Sequence, residues 1–385
     1  MGTLRNVTGV GLILGATVVG AYPTNARHSS EGDEWKRVEP VLTSLMARPD
    51  VAGASVAVIH NSTIAVARAY GFRMHDGATR VAMTPDTLLQ AASLGKVATA
   101  VAALRLVERG RLPLDEDVNR LLLAWKLPEN GFTSESKVTL RRLLSHSAGV
   151  TVAGFQGYPN GAIMPHPLQI LLGQEPANSP PIVVGEAPGR QRYSGGGYQV
   201  IQRLLEDITG REFASLMRDE VFAPAGMGRS VFALRPPAPM AGDLAEGHAL
   251  QASGELAEVT YQHPELAAAG LWSTPADLAK LVADLCQAWQ GQAKRLLATS
   301  TVREMLKPLG DRGFGLGLVV REDTTPNPYF MHTGSNAGFR SLLIGFPRTG
   351  QGAVLMFNAE VDRTVPMGLL AAIAREFRWP PFSLR

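Results

Sequence analysis

Ser93 and Lys96 stand three residues apart in Ala91-Ala92-Ser93-Leu94-Gly95-Lys96, at the head of a segment with helical apolar spacing. Residues at i and i+3 of a helix share a face, so the hydroxyl and the amine can meet. That pairing points to nucleophilic chemistry, because a serine hydroxyl is a weak nucleophile and a buried amine beside it can take its proton. A helix start adds backbone N–H groups and partial positive charge where an oxyanion would form. Ser-x-x-Lys alone is a weak pattern, since a capping serine and a solvated lysine make the same string. Ser134-Glu135-Ser136-Lys137 repeats it in a polar stretch with no apolar helix around it and reads as a loop decoy.

Rival chemistries find no residues. The chain has no Gly-x-Ser-x-Gly elbow, and its eight histidines form neither His-Glu-x-x-His nor His-x-His, which argues against a metal hydrolase. Cys286, the single cysteine, forbids an intrachain disulfide or a multi-thiolate metal site. It falls in the helical pattern 277–289 and reads as a small buried thiol. His146, beside a helix end, reads as structural.

The company kept by Ser93 is more telling. A tyrosine precedes a glycine run and a helical pattern in Tyr193-Ser194-Gly195-Gly196-Gly197-Tyr198, and His332-Thr333-Gly334-Ser335-Asn336 ends a strand-like run. In this order the three segments resemble the active-site motifs of the serine β-lactamase and penicillin-binding-protein family. The likeness is nearest to its class C, D-aminopeptidase and β-lactamase-like esterase branch. Pro113-Leu114-Asp115-Glu116-Asp117-Val118, Leu143-Leu144-Ser145-His146-Ser147-Ala148-Gly149 and Ala269-Gly270-Leu271-Trp272-Ser273-Thr274 also look like segments of that family. The likeness thus spans most of residues 50–360.

The resemblance implies an acyl-enzyme at Ser93, with Lys96 and Tyr193 sharing the general-base work and Tyr193 activating the deacylating water. It implies an oxyanion hole from the backbone N–H groups of Ser93 and Ser335, and substrate contacts from His332, Gly334 and Asn336. There is no Glu-x-x-Leu-Asn, in line with a tyrosine mechanism. Two positions depart from the class C pattern: Gly195 stands where the second motif, Tyr-x-Asn, has its amide, and His332 stands where the third motif has lysine. Histidine is mostly uncharged near neutral pH, so Arg340 on the next strand is expected to restore the cation for a substrate carboxylate.

The implied activity is that of an exported serine hydrolase acting on β-lactam or D-amino-acid amide bonds. The same residues would also serve a carboxylesterase on short-chain esters, or a non-hydrolysing penicillin-binding or sensing module. The expected partner is a small-molecule substrate, with no cofactor and no metal.

The elements that must position these residues follow from periodicity. Residues 54–59 and 63–70 are β-branched runs around the turn cluster His60-Asn61-Ser62 and read as a hairpin. Helices are expected at 34–47, 93–109, 139–145, 198–209, 213–221, 275–288, 300–307 and 365–377, with Thr139 and Ser300 as caps. Strands are expected at 315–320, 329–332, 339–346 and 352–357. Strands at both ends and helices between them predict an α/β (α+β) sandwich: an antiparallel sheet flanked by helices, built from residues 27–84 and 298–385, with a mainly helical domain, 85–297, inserted. The cleft between the two is the natural place for a site.

Composition sets the outer limits. With 385 residues, 45% hydrophobic and 18% charged, the chain is globular and long enough for a large core. A net charge of +3 without a Lys/Arg run argues against nucleic acid. Residues 1–26 read as a signal peptide, with Arg5 before an uncharged apolar stretch and small residues at Ala21 and Ala26. That stretch is shorter than the roughly 20 residues a membrane span needs, which predicts a periplasmic or secreted protein with no stable membrane span.

Overall fold

The computed structural model describes residues 33–75, 79–292, 295–322 and 327–382. The expected signal peptide lies outside them. Among the described residues no helix is long and apolar enough to cross a membrane.

A seven-stranded antiparallel sheet is built from β1 (Gly53–His60), β2 (Thr63–His75), β3 (Arg80–Ala82), β4 (Val319–Arg321), β5 (Tyr329–Asn336), β6 (Phe339–Phe346) and β7 (Gln351–Phe357). Its order is β4-β5-β6-β7-β1-β2-β3, so the two ends of the chain meet where β1 pairs β7, from Ala54 opposite Phe357 to Ile59 opposite Gly352. The β1–β2 hairpin turns at Asn61 and Ser62, both at positive φ.

Both faces of the central strands are buried, which is why they read as near-continuous apolar runs. Val56, Val58, Leu342, Ile344 and Leu355 face one way and pack under α1 (Asp33–Met46) and the C-terminal helix α5 (Thr364–Glu376). Ala57, Ile59, Leu343, Val354 and Met356 face the other way, into the larger core. Each fully buried Val, Leu or Ile there contributes about 1.5–3 kcal/mol of transfer free energy. This larger core holds α2 (Gly95–Glu108), α3 (Gly195–Thr209) and α4 (Pro275–Trp289). Helix α4 packs across β1, β6 and β7. Gly345 lets it come close, since a Cβ there would stand 2.8 Å from Val282 Cγ1.

Three local expectations need correction. The strand expected at 315–320 is confined to Val319–Arg321. Residues before it run into the helical layer instead, where Leu316 N–H donates to Met305 O and Gly317 N–H to Leu144 O. Gly317, at φ 97°, leaves no room for a Cβ, which would lie 2.4 Å from Ala100 Cβ of α2. Ser300 is not a cap: the helix Thr299–Met305 starts after Ala298, and no side chain caps it. The helix expected at 213–221 is α-helical only over Phe213–Met217 and continues as a π turn, Arg218–Phe222. Thr139 does cap Leu140–Leu144, accepting from the Arg142 N–H.

Candidate active site

Ser93 enters the cleft on a strained turn. A short strand, Leu89–Gln90, pairs with Leu271–Ser273, and the chain then makes one 3-10 turn, Ala92–Leu94, into α2. Ala92 sits at φ 51°, a conformation an alanine rarely adopts. Lys96 Nζ donates to Ser93 Oγ at 2.9 Å, and Tyr193 OH donates to the same oxygen at 2.9 Å. Lys96 is 2% exposed, and its Nζ makes one more hydrogen bond, to Ala268 O at 2.5 Å. It lies 5.2 and 5.5 Å from the ring centroids of Tyr193 and Tyr198, where the aromatic faces attract a cation.

Tyr193 is aimed by the start of α3. Ser194 caps that helix, accepting from Gly197 N–H, while its hydroxyl donates to Thr151 O at 2.8 Å. The Ser194 N–H in turn donates to His146 Nδ1 at 3.1 Å, and the buried His146 ring packs 4.4 Å from that of Tyr193. Burial first, then Lys96 and His332, push His146 well below the usual histidine range. The ring is uncharged at neutral pH and packs between Tyr193, Tyr198 and Phe314. The glycines after the cap admit the loop that follows Thr151: a Cβ at Gly196 would meet Thr151 O at 2.6 Å, and one at Gly195 would meet Phe155 Cε2 at 3.1 Å. The space beside Tyr193 thus holds an aromatic ring and no amide.

Strand β5 forms the opposite wall. His332, Gly334 and Asn336 are buried and Thr333 and Ser335 are exposed, and His332, Thr333, Ser335 and Asn336 all line the cleft. Gly334 lets the bare backbone touch the turn that carries Ser93, because a Cβ there would stand 2.5 Å from Ala91 O and 3.1 Å from Ala92 Cβ. This close approach brings Ser335 to the same cleft as Ser93. His332 Nδ1 is 2.7 Å from Thr333 O, and burial, then Lys96, push the imidazole down to about 4. It is neutral at pH 7.

The cleft has a volume of about 350 Å³, and Ser93, Lys96, Tyr193, Phe155, His332 and Asn336 are among the residues that line it. Arg340, expected to supply a cation, does not. Its Nη1 donates to Asn336 O and Phe339 O, each at 2.8 Å, and its Nη2 lies 3.5 Å from Glu360 Oε2. Asn336, expected to contact substrate, gives its Nδ2 to Gln90 Oε1 at 2.6 Å and Ala269 O at 3.2 Å.

Sequence reasoning overlooked several residues at the site. Phe155, Gln90 and Ala268 carry no motif, and Ala269 falls in a family-like segment with no role assigned, yet the carbonyls of Ala268 and Ala269 hold Lys96 and Asn336. A buried pair, His263 and Glu265, lies just before them, with Nδ1 3.9 Å from Oε2 and no protein hydrogen bond at either side chain. Burial raises Glu265 to about 7 and, with Lys96, lowers His263 to about 4. Both are uncharged between those values. Cys286 is buried in α4, and burial pushes its thiol up. Among the described residues no group of three or more His, Cys, Asp or Glu is placed to hold a metal ion.

The sequence profile described as Beta-lactamase matches residues 38–374. The chain is 28% identical over 301 residues to acyltransferase mokF of Monascus pilosus, covering 72% of this chain and 71% of that protein. Its structure is similar to the octameric penicillin-binding protein homologue from Pyrococcus abyssi, with a TM-score of 0.73 at 23% identity over 89% of this chain and 77% of that one. It is also similar to D-amino acid amidase from Ochrobactrum anthropi SV3, with a TM-score of 0.70 at 21% identity over 90% and 98%. At these identities the two structures speak to the fold alone.

Proposed function

The chain belongs to the beta-lactamase family, and from that premise we propose that it is a serine acyl hydrolase whose preferred donors are uncharged esters. The observation that carries the hydrolase reading is the convergence of Lys96 Nζ and Tyr193 OH on Ser93 Oγ.

In this mechanism one member of the Lys96–Tyr193 pair starts unprotonated: Ser93 Oγ attacks the acyl carbon and its proton passes to that base, which lies within hydrogen-bond reach without rearrangement. The backbone N–H groups of Ser93 and Ser335 receive the oxyanion. Collapse breaks the bond to the leaving group, which takes up the transferred proton and departs, leaving an ester on Ser93. Tyr193, half-buried at the cleft wall, then draws a proton from water as the water oxygen attacks. The Oγ–carbon bond breaks and the proton returns to Ser93.

Charge distribution supports the ester preference. Among the described residues Lys96 is the only lysine or arginine lining the cleft, and it is spent on Ser93 and Ala268. His332 is neutral, and Arg340 is held by two carbonyls and Glu360. A carboxylate-bearing β-lactam therefore lacks the partner that an ester does not need. A charge-assisted hydrogen bond is worth about 1.5–3 kcal/mol, or roughly 10- to 100-fold in kcat/KM.

The test sets a p-nitrophenyl ester, a chromogenic cephalosporin and a D-amino-acid anilide side by side, with Ser93→Ala as control. The expected order places the ester first by about 10-fold or more. Faster turnover of the cephalosporin or anilide overturns the ester preference, and a persistent β-lactam adduct seen by intact mass favours a binding or sensing role. Export remains part of the proposal, checked by the amino terminus of the secreted product.

A further inference from the structure

An oxyanion hole works only if its two donors keep a fixed separation, about 2.7–3.1 Å from where the oxyanion will stand. In the mechanism proposed above these donors come from segments far apart in sequence, the turn at Ser93 and strand β5 at Ser335. The residues flanking them are tied together.

Gln90, three residues before the nucleophile and 3% exposed, reaches in two directions. Its Oε1 accepts from Asn336 Nδ2 at 2.6 Å, and its Nε2 donates to Tyr261 O at 2.7 Å. Asn336, directly after Ser335 and also buried, uses the same Nδ2 for Ala269 O at 3.2 Å. The orientation of the Gln90 amide is dictated by its partners, because Tyr261 O can only accept and Asn336 Nδ2 can only donate. Two further contacts lie beneath: Ser341 Oγ donates to Ala91 O at 2.8 Å, and Ala91 N–H donates to Leu271 O at 2.8 Å. Every one of these contacts has Gln90, Ala91 or Asn336 at one end.

We infer that Gln90 is a positioning residue for acyl transfer: its carboxamide, through Asn336, sets the distance between the Ser93 and Ser335 backbones, and Asn336 is its partner in that clamp and not a substrate ligand. A carboxamide suits the task because it offers an acceptor and a donor on separate atoms at the end of the same side chain. Glutamate keeps an acceptor for Asn336 but turns an oxygen on Tyr261 O. Alanine loses both contacts.

The inference rests on the serine acyl hydrolase reading, so the experiment separates the two. Ser93→Ala, Gln90→Ala, Gln90→Glu, Asn336→Ala and the Gln90→Ala/Asn336→Ala double variant are assayed with a p-nitrophenyl ester and titrated with a boronic acid transition-state analogue. Loss of all activity in Ser93→Ala upholds the reading; retained activity refutes it whatever Gln90 does. For the clamp, Gln90→Ala and Asn336→Ala are each expected to lower kcat by about 10- to 100-fold, the scale of a misplacement near 1 Å, with KM changed less than about threefold. Boronate affinity is expected to fall in step with kcat/KM, a split that mere loss of folded protein does not produce. The double variant is expected to be no worse than either single, as for partners in one interaction. Should Gln90→Ala fail to fold, the near-isosteric Gln90→Glu carries the same test with a smaller loss. A kcat within twofold of the parent for the folded Gln90 variant, or losses that multiply in the double variant, overturns the inference.

Discussion

Two Ser-x-x-Lys strings in one chain have opposite fates. Around Ser93 the lysine is buried and bonded to the serine oxygen, which also receives Tyr193. Around Ser134 the serine lies within a five-residue helix, Gly131–Glu135, and its hydroxyl donates to Gly131 O at 2.8 Å. That placement corrects the expectation of a loop. Lys137, half exposed, lies 3.9 Å from Asp117 and 3.8 Å from Glu129 in an ordinary surface cluster. The difference shows that spacing only makes the pair possible. Burial and a second hydroxyl on the serine oxygen distinguish the assembled pair from the surface one.

The largest test of this contrast is removal of each serine. Ser93→Ala is expected to cost on the order of 10⁴-fold or more in ester hydrolysis, the scale seen when a nucleophile is lost, while Ser134→Ala stays within about twofold. A reversal would break the comparison. Next comes Tyr193→Phe, which keeps the ring on His146 but removes the hydroxyl. The expected loss in kcat is about 10²- to 10⁴-fold, and a change under tenfold would reduce Tyr193 to packing.

Gly334→Ala probes the close approach that the Ser134 region lacks. Its Cβ would press on Ala91 O and Ser341 Oγ, so kcat should fall by about 10²-fold, read alongside Tm to separate misplacement from unfolding.

A smaller effect concerns pH and stability. Glu265 has its folded-state value raised from 4.5 to about 7 by burial. Its contribution to stability is therefore complete below 4.5 and is lost as the pH rises through about 7. Glu265→Gln cannot ionise, so its stability relative to the parent should rise by on the order of 2–3 kcal/mol between pH 4 and pH 8, measured by denaturant unfolding. His263 and His332 run the other way: lowered from 6.5 to about 4, they favour the fold above 6.5 and cease to as the pH falls through 4. Lys137→Met, in the exposed cluster, should leave both limbs unchanged. The smallest effect is expected for Arg340→Ala. With its guanidinium turned to Glu360, KM should change by less than about threefold, and equally for carboxylate-bearing and neutral donors. A selective rise for carboxylates would restore Arg340 as a substrate cation.

The sheet was legible wherever its pattern was local. The hairpin at His60-Asn61-Ser62, the strand Phe339–Phe346 and the terminal helix appear within a few residues of their expected limits, since period and turn chemistry are properties of neighbouring residues. Residues 315–318 misled because apolar character there serves a close approach to Ala100 and not a strand ladder. The same limit applies to Asn336, which reads as a free amide until Gln90 is seen beside it.

By itself the sequence determined which chemistry was open: one cysteine and no metal-ligand spacing left serine, and the order of Ser93, Tyr193 and His332 named the family. Only the tertiary structure decided which Ser-x-x-Lys is assembled, that His332 is neutral, and that Arg340 and Asn336 are turned to other partners. The physical reason is range. Helical and strand periods act over a few residues, whereas desolvation, close backbone approach and hydrogen-bond partnership are set by segments that meet only after folding.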